Sequence, residues 1–318
     1  MALKEIVYPS RTTPSEAAQE SRPTPTASPG AGSSSGGDGQ GSTLGTFAWF
    51  GFLRSSDERR AGTGAADVFD RLASMAAPEN WDGPGGGHGS LGVLKNYLTW
   101  IFDQAMAQEE VVPNADGQLC TFNTGLTTPR HEDIYGLFTP SSFPDRQPWV
   151  LRDWRLGHQL ATFPELPGPP TYSKDPYEYF FDWDLPLSFS AQTYVDSISE
   201  LFPGARQEIP YGLELALNGA VDRARAQATR NPGTAVPMWQ PKKREIRLLL
   251  PLSLVTPGTP DAALAISRDD MCYRGVAILS LEKAYKAARL VTRPSAHWLT
   301  GFPHQENGPA NPRPIAPR

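Results

Sequence analysis

Apolar positions recur at helical spacing in three stretches of the chain. Residues 91–110 carry Leu94, Leu98, Ile101, Phe102 and Ala105. Residues 213–230 carry Leu217, Ala220, Val221, Ala224 and Ala228, and residues 281–291 carry Leu281, Ala284, Tyr285 and Ala288. Each set lies on one face of a helix with a period near 3.6, so each stretch predicts an amphipathic helix. Ser90 and Ser280 stand where the first and third helices need N-caps, and Asn231-Pro232-Gly233 ends the second. Val68, Leu72 and Met75 predict a shorter helix over 65–76, and a weaker one is expected near 192–201.

Other stretches carry the pattern of strands. Residues 246–254 form a near-continuous apolar run, as expected of a central strand buried on both faces. Residues 262–267 and 273–279 flank a short loop with Arg268, Asp269 and Asp270, the spacing of an antiparallel hairpin. Strands are also expected over 134–138, 148–156 and 120–126, the last ending in the turn residues Asn123, Thr124 and Gly125. The aromatic run 44–53 predicts a buried strand or docking segment, and a short element is expected at 178–183. Residues 54–64 and 78–90 read as loops, 163–176 as irregular chain, and no internal repeat is visible. Hairpins with separated helices predict an α+β fold: a mixed, largely antiparallel sheet packed with helices.

Composition sets the limits of that domain. Residues 12–43 contain no aromatic and no large aliphatic residue, only Pro, Ser, Gly, Thr, Ala and scattered polar residues. Such a segment buries too little apolar surface to offset its ordering entropy. The expected organisation is a disordered tail over 1–43, one domain over 44–300 and a second disordered tail over 301–318, where four prolines lie within 307–318. No apolar run is long enough to span a membrane, and the first eleven residues lack an apolar leader, so a cytoplasmic protein is expected. Two distant cysteines, Cys120 and Cys272, make neither a disulfide framework nor a zinc site, and both are expected to be buried thiols.

Charge is distributed unevenly. Residues 61–202 carry seven basic and nineteen acidic residues, whereas residues 203–300 carry fourteen basic and eight acidic. Either the halves neutralise each other, or the basic half presents an anion-binding face. The basic set comprises Arg223, Arg225 and Arg230 on one helix, Lys242, Lys243 and Arg244 before the central strand, and Arg289 and Arg293 at the last helix. Cations beside aromatic residues bind phosphates and stack bases; solvated helix faces carry the same charges. The stretch Gly85-Gly86-Gly87-His88-Gly89 precedes a helix, as a phosphate cradle would, although no P-loop lysine follows. No dinucleotide fingerprint, zinc-protease motif or nucleophile elbow occurs, and no cofactor is assigned. His131 beside Glu132 and Asp133 has the setting of a loop general base or of an ordinary polar loop. Asp182 and Asp184 alternate as on one strand face, either as metal ligands or as outward charges on an edge strand.

The order of several short stretches adds a resemblance. These are Leu94-Lys-Asn-Tyr-Leu98, Phe122-Asn-Thr-Gly-Leu126, Ile134-Tyr-Gly-Leu-Phe138, Ala235-Val-Pro237, Leu248-Leu-Leu-Pro-Leu-Ser-Leu254 and Asp261-Ala-Ala-Leu264. They continue through Tyr273-Arg-Gly-Val-Ala-Ile-Leu279, Ala284-Tyr285, Ala287-Ala-Arg-Leu290 and Trp298-Leu299. In order and spacing, from about residue 69 to 299, the chain resembles the domain of unknown function 3825 family. Some members carry the domain beside RNA-binding modules, including cold-shock and OST-HTH domains, so the resemblance implies an RNA-linked role by association. It implies no catalytic residues. Two functions follow as expectations. The first is RNA or nucleotide binding or processing, with phosphate contacts from Lys95, Arg223, Arg230, Lys242, Lys243 and Arg289 and polar contacts from Asn96, Asn123 and Thr124. It predicts a basic pocket where Lys95, Asn123 and Arg289 converge, and a processing enzyme would add His131 or Asp182 as acid/base or metal ligand. The second is a non-enzymatic module that binds a protein partner through aromatic and proline-rich surfaces.

Overall fold

The computed structural model describes residues 43–50, 68–83, 89–142, 147–201 and 210–300. Nearly all of both expected tails, the loop over 54–64 and the core of the glycine-rich stretch lie outside the described residues.

Helix α1 (Thr43–Phe47) runs into β1 (Ala48–Trp49). Helices α2 (Val68–Met75) and α3 (Gly92–Ala107) follow. Strands β2 (Val111–Pro113), β3 (Cys120–Thr127), β4 (Asp133–Pro140) and β5 (Trp149–Leu156) complete the first half. The second half opens with β6 (Leu187–Ser188), α4 (Val195–Leu201) and α5 (Pro210–Arg230). It continues with β7 (Val236–Gln240), β8 (Glu245–Leu252), β9 (Ala262–Arg268) and β10 (Tyr273–Ser280), and ends on α6 (Leu281–Val291) and α7 (His297–Thr300).

The strands form two five-stranded sheets, ordered β1-β5-β4-β3-β2 and β6-β10-β9-β8-β7. In each sheet four strands form an antiparallel meander, and the short first strand pairs in parallel with the last. Among the described residues both halves therefore trace one path: a short strand, two helices, then a meander that closes on the short strand. This repeat lies in the topology, and the sequence shows no repeated motif that would reveal it. The fold is α+β, as expected, but built on two mixed sheets.

The layers follow from the apolar patterns. On the first sheet, the Phe102 ring of α3 meets Phe122 edge-on at 5.1 Å and Phe138 at 6.3 Å. Helix α3 also packs on α6, and α6 packs on β7 of the second sheet. The other face of that sheet is covered by α5: Leu217, Ala220, Val221 and Ala224 share a core with Leu248, Leu250 and Leu252. Leu249 turns the opposite way, into the core shared by α3 and α6. Successive strand residues point to opposite faces, so a strand covered on both sides must be apolar throughout. That accounts for the run beginning at Ile246.

Several expectations need correction. The described part of the 44–53 segment docks on the core as expected, but as a short helix followed by a two-residue strand. Ser90 does not cap α3; the N-cap position is Leu91, with φ 49°. The Trp81 carbonyl accepts from the Val93 amide at 2.9 Å, and Asp82 braces the loop before the helix, accepting from the amides of Gly89 and Leu91 at 2.9 Å each and from the Ser90 hydroxyl at 3.2 Å. Asn123, Thr124 and Gly125 form no turn: β3 runs on through them as a bulge against β4. The chain reverses at residues 128–132, where the Thr128 amide donates to the Glu132 carbonyl. Asp182 and Asp184 lie on no strand face, and the short element expected at 178–183 starts earlier. A 3-10 turn over Pro176–Tyr179 leads into irregular chain, with Asp175 accepting from the Tyr177 amide. Cys120 is buried but Cys272 only half so, and burial pushes the Cys120 thiol up to about 12.

Candidate functional site

Helix α6 begins at Ser280, whose hydroxyl accepts from the Lys283 amide. Its apolar face buries Ala284, Tyr285 and Ala288, which turns Lys283 and Lys286 toward the rim of a groove of about 250 Å³ between α3, β7 and α6. From α3 the groove takes Asn96 and Trp100, one turn apart on the same face. Both are half-buried. From the end of β7 it takes Gln240 and Pro241. The turn beyond Pro241 continues into exposed Lys242 and Lys243. Arg244 anchors that turn to α3 by donating to the Gln104 side-chain oxygen at 3.3 Å. Lys286 pairs with Glu282 at 2.6 Å. Among the described residues, Lys242, Lys243 and Lys283 have no ion pair. The groove thus combines an aromatic ring, a carboxamide and the cations Lys283 and Lys286; the sequence-predicted Asn96 lines it, and the predicted pair Lys242 and Lys243 follows its last β7-side residue, Pro241, without lining it. Lys95 is exposed one residue away, with its ammonium donating to the Ser90 carbonyl at 3.1 Å.

Arg289 lies deeper, behind the α3–α6 contact. Its guanidinium pairs with Glu79 at 2.5 Å, and the two side chains are 10% and 4% exposed. It stacks over the rings of Tyr97, at 4.5 Å from the centroid, and Trp81, at 5.2 Å. Burial opposes its charge, but Tyr97 and Glu79 outweigh that and hold the guanidinium more firmly protonated. Burial raises the Tyr97 phenol, and Arg289 draws part of that shift back. The pair joins the acidic first half to the basic second half, as mutual neutralisation requires. Asn123 and Thr124 support the same region from below. The Asn123 amide group donates to Asp133 at 3.3 Å while its oxygen accepts from the Gly125 amide at 2.9 Å. The Thr124 hydroxyl donates to the Ile134 carbonyl at 2.6 Å. These bonds hold Gly125 at φ +68°, where a Cβ would sit 2.6 Å from the Tyr97 hydroxyl oxygen. Glycine is the residue that fits there.

Lys95, Asn123 and Arg289 therefore do not converge. Lys95 is in solvent, Asn123 is buried within the first sheet, and Arg289 is engaged with Glu79. Arg223 and Arg230 are exposed on α5, across the second sheet from α6. Arg223 donates to the Ser253 carbonyl at 3.1 Å. His131 is exposed at φ 63° in the β3–β4 turn. Asp182 pairs with Arg268 at 3.0 Å and accepts from the Asp184 amide at 3.1 Å. Among the described residues no group of three His, Cys, Asp or Glu side chains is placed to hold a metal ion. No helix among them is long and apolar enough to cross a membrane. Trp100, Lys283 and Lys286 were not among the sequence candidates; the i, i+4 pair Asn96 and Trp100 and the i, i+3 pair Lys283 and Lys286 were the available signal.

Residues 72–298 match the profile of the domain of unknown function DUF3825. The chain belongs to this family. No curated protein and no solved structure matches it. The DUF3825 stretch opens inside α2 and closes inside α7, so it holds the whole groove and the Glu79–Arg289 pair. Helix α1 and strand β1 precede it.

Proposed function

We propose that this DUF3825 domain binds single-stranded RNA along the groove between α3, β7 and α6. The observation that carries the reading is the half-buried Trp100 ring set among Asn96, Lys283 and Lys286, with exposed Lys242 and Lys243 following the groove's Pro241 in the chain. An aromatic platform flanked by cations suits a flexible strand, since the base stacks on the ring and lysines meet the phosphates. Asn96 offers a carboxamide to base edges. The association of some family members with RNA-binding modules agrees with this reading.

The test is fluorescence anisotropy with a labelled oligouridylate about ten nucleotides long. Affinity falls steeply between about 50 and about 200 mM salt, because phosphate contacts release counterions. Trp100→Ala weakens binding about tenfold or more, the scale of one stacked base. Lys242→Ala with Lys243→Ala reduces the slope of log affinity against log salt by about 0.7 per lost phosphate contact. Arg223→Ala, on the far side of the sheet, leaves affinity unchanged. Binding that ignores both salt and Trp100 overturns the proposal.

A protein-binding function has one observation in its favour. Tyr177, Phe180 and Trp183 are 71%, 66% and 54% exposed, next to Asp175, Glu178 and Asp184. RNA binding abolished by changes to these aromatics, and untouched by Trp100→Ala, would move the function to that surface.

A further inference from the structure

We infer that the C-terminal end of α6 forms a second, separate site, which binds a small organic phosphate. Two adjoining cavities meet there. One, of about 370 Å³, is walled by Glu79, Trp81, Tyr97, Thr127, Arg289 and Arg293. The other is a groove of about 590 Å³ that shares Val291, Thr292 and Arg293 with the first and is lined elsewhere by Tyr179, Phe180, Pro232 and Pro237. Both volumes fall in the range of small-molecule pockets, about 300–1,000 Å³.

The chemistry of the smaller cavity favours an acceptor-rich, negatively charged group. The Trp81 side chain is 94% buried, being 6% exposed, and its indole N–H has no hydrogen-bond partner among the described residues. Indole N–H is a donor only, and leaving it unmet inside a protein costs free energy. The nitrogen is closed off in this structure, so a ligand oxygen satisfies it as the cavity wall shifts to admit the ligand. Arg293 is exposed on the wall common to both cavities and has no ion pair among the described residues. Its guanidinium fork matches two oxygens of a phosphate. Glu79 does not repel an anion, because its charge is matched by Arg289. The negative end of the α6 dipole opposes the anion by only about 0.3–1 kcal/mol. The neighbouring groove explains why the ligand is an organic phosphate and not the free ion. Tyrosine, phenylalanine and proline surfaces receive an organic body while the phosphate enters the polar end.

The two sites share Leu290 but no polar side chain, so substitutions of their polar residues separate them in experiment. The probes are AMP, phenyl phosphate and adenosine, titrated into the full chain by calorimetry. AMP or phenyl phosphate binds, and adenosine binds at least tenfold more weakly than AMP. Arg293→Ala, a surface change that leaves the fold in place, weakens phosphate-ligand binding tenfold or more. Trp81→Phe keeps the ring and removes the N–H, and it does the same in a protein whose melting temperature is checked beside it. Lys242→Ala with Lys243→Ala lowers RNA affinity and leaves AMP affinity unaltered. The site does not exist if neither phosphate ligand binds, or if they bind Arg293→Ala as well as the native chain. Adenosine binding as tight as AMP overturns the assignment of the phosphate.

Discussion

Removing the Glu79 carboxylate strands a guanidinium between two aromatic rings. Glu79→Ala is therefore expected to destabilise the fold by about 3–5 kcal/mol, because an uncompensated charge stays buried. Urea denaturation at neutral pH measures it. Replacing both partners, Glu79→Leu with Arg289→Leu, costs less than Glu79→Ala alone, since no lone charge remains. This pair also shows the limit of reading charges along a chain. Arg289 stood out in sequence as a basic residue at a helix end, the mark of a surface phosphate contact. Its partner lies 210 positions away, and no local pattern announces so distant a pairing. Asn123 and Thr124 were misread for a related reason. With Gly125 they spell a turn, yet the hydrogen-bond groups of β4 were there to accept them as a bulge. The exposure of Lys242 and Lys243 was legible because solvent-facing residues answer mainly to their own element.

At the level of elements, helices were read well and short strands badly. Helix α6 matches its predicted bounds, since the Ser280 cap and the apolar spacing are both local signals. Strands β2 and β7 went unseen. Each is an edge strand carrying a proline, Pro113 or Pro237, and proline argues against a strand except at an edge. The start of α3 illustrates a loop braced by a residue some way before it. Burial raises the Asp82 carboxyl somewhat, but bonds from Gly89, Leu91 and Ser90 outweigh it and leave the group below its ordinary 3.8. A lowered carboxyl stabilises the fold at pH above its unfolded value, and that contribution is lost as pH falls through the folded value. Asp82→Ala is expected to cost about 1 kcal/mol at pH 7, the scale of one net hydrogen bond. The gap from the native chain closes below the ordinary value of 3.8. Denaturation curves of both proteins across pH 3 to 7 check this.

Across the whole molecule, the family-matched stretch leaves out a working part of the first sheet. Phe47 of α1 packs on Phe102 at 4.9 Å, Phe138 at 5.5 Å and Trp149 at 5.9 Å, and Leu44 and Ala48 are buried. A chain starting at residue 68 loses these contacts and uncovers Trp149 and Val150 on β5. The expected outcome is a loss of about 3 kcal/mol or more from the buried Leu and Phe side chains. The bared strand edge also favours self-association, visible by light scattering. The α+β class was legible in sequence because it follows from element types. The division into two sheets of matching order was not, since strand pairing depends on contacts that periodicity does not record.

Helix α6 touches both cavities: Leu290 lines the groove beside Trp100 and also the polar chamber beside Arg289. A rod packed between two chambers cannot move to suit one without reshaping the other. Any guest that shifts α6 on one side alters the affinity on the other, and thermodynamics makes the influence mutual and equal in size. Helix α6 is thereby a lever for communication, and α3, which lends Trp100 to one cavity and Tyr97 to the other, is a second.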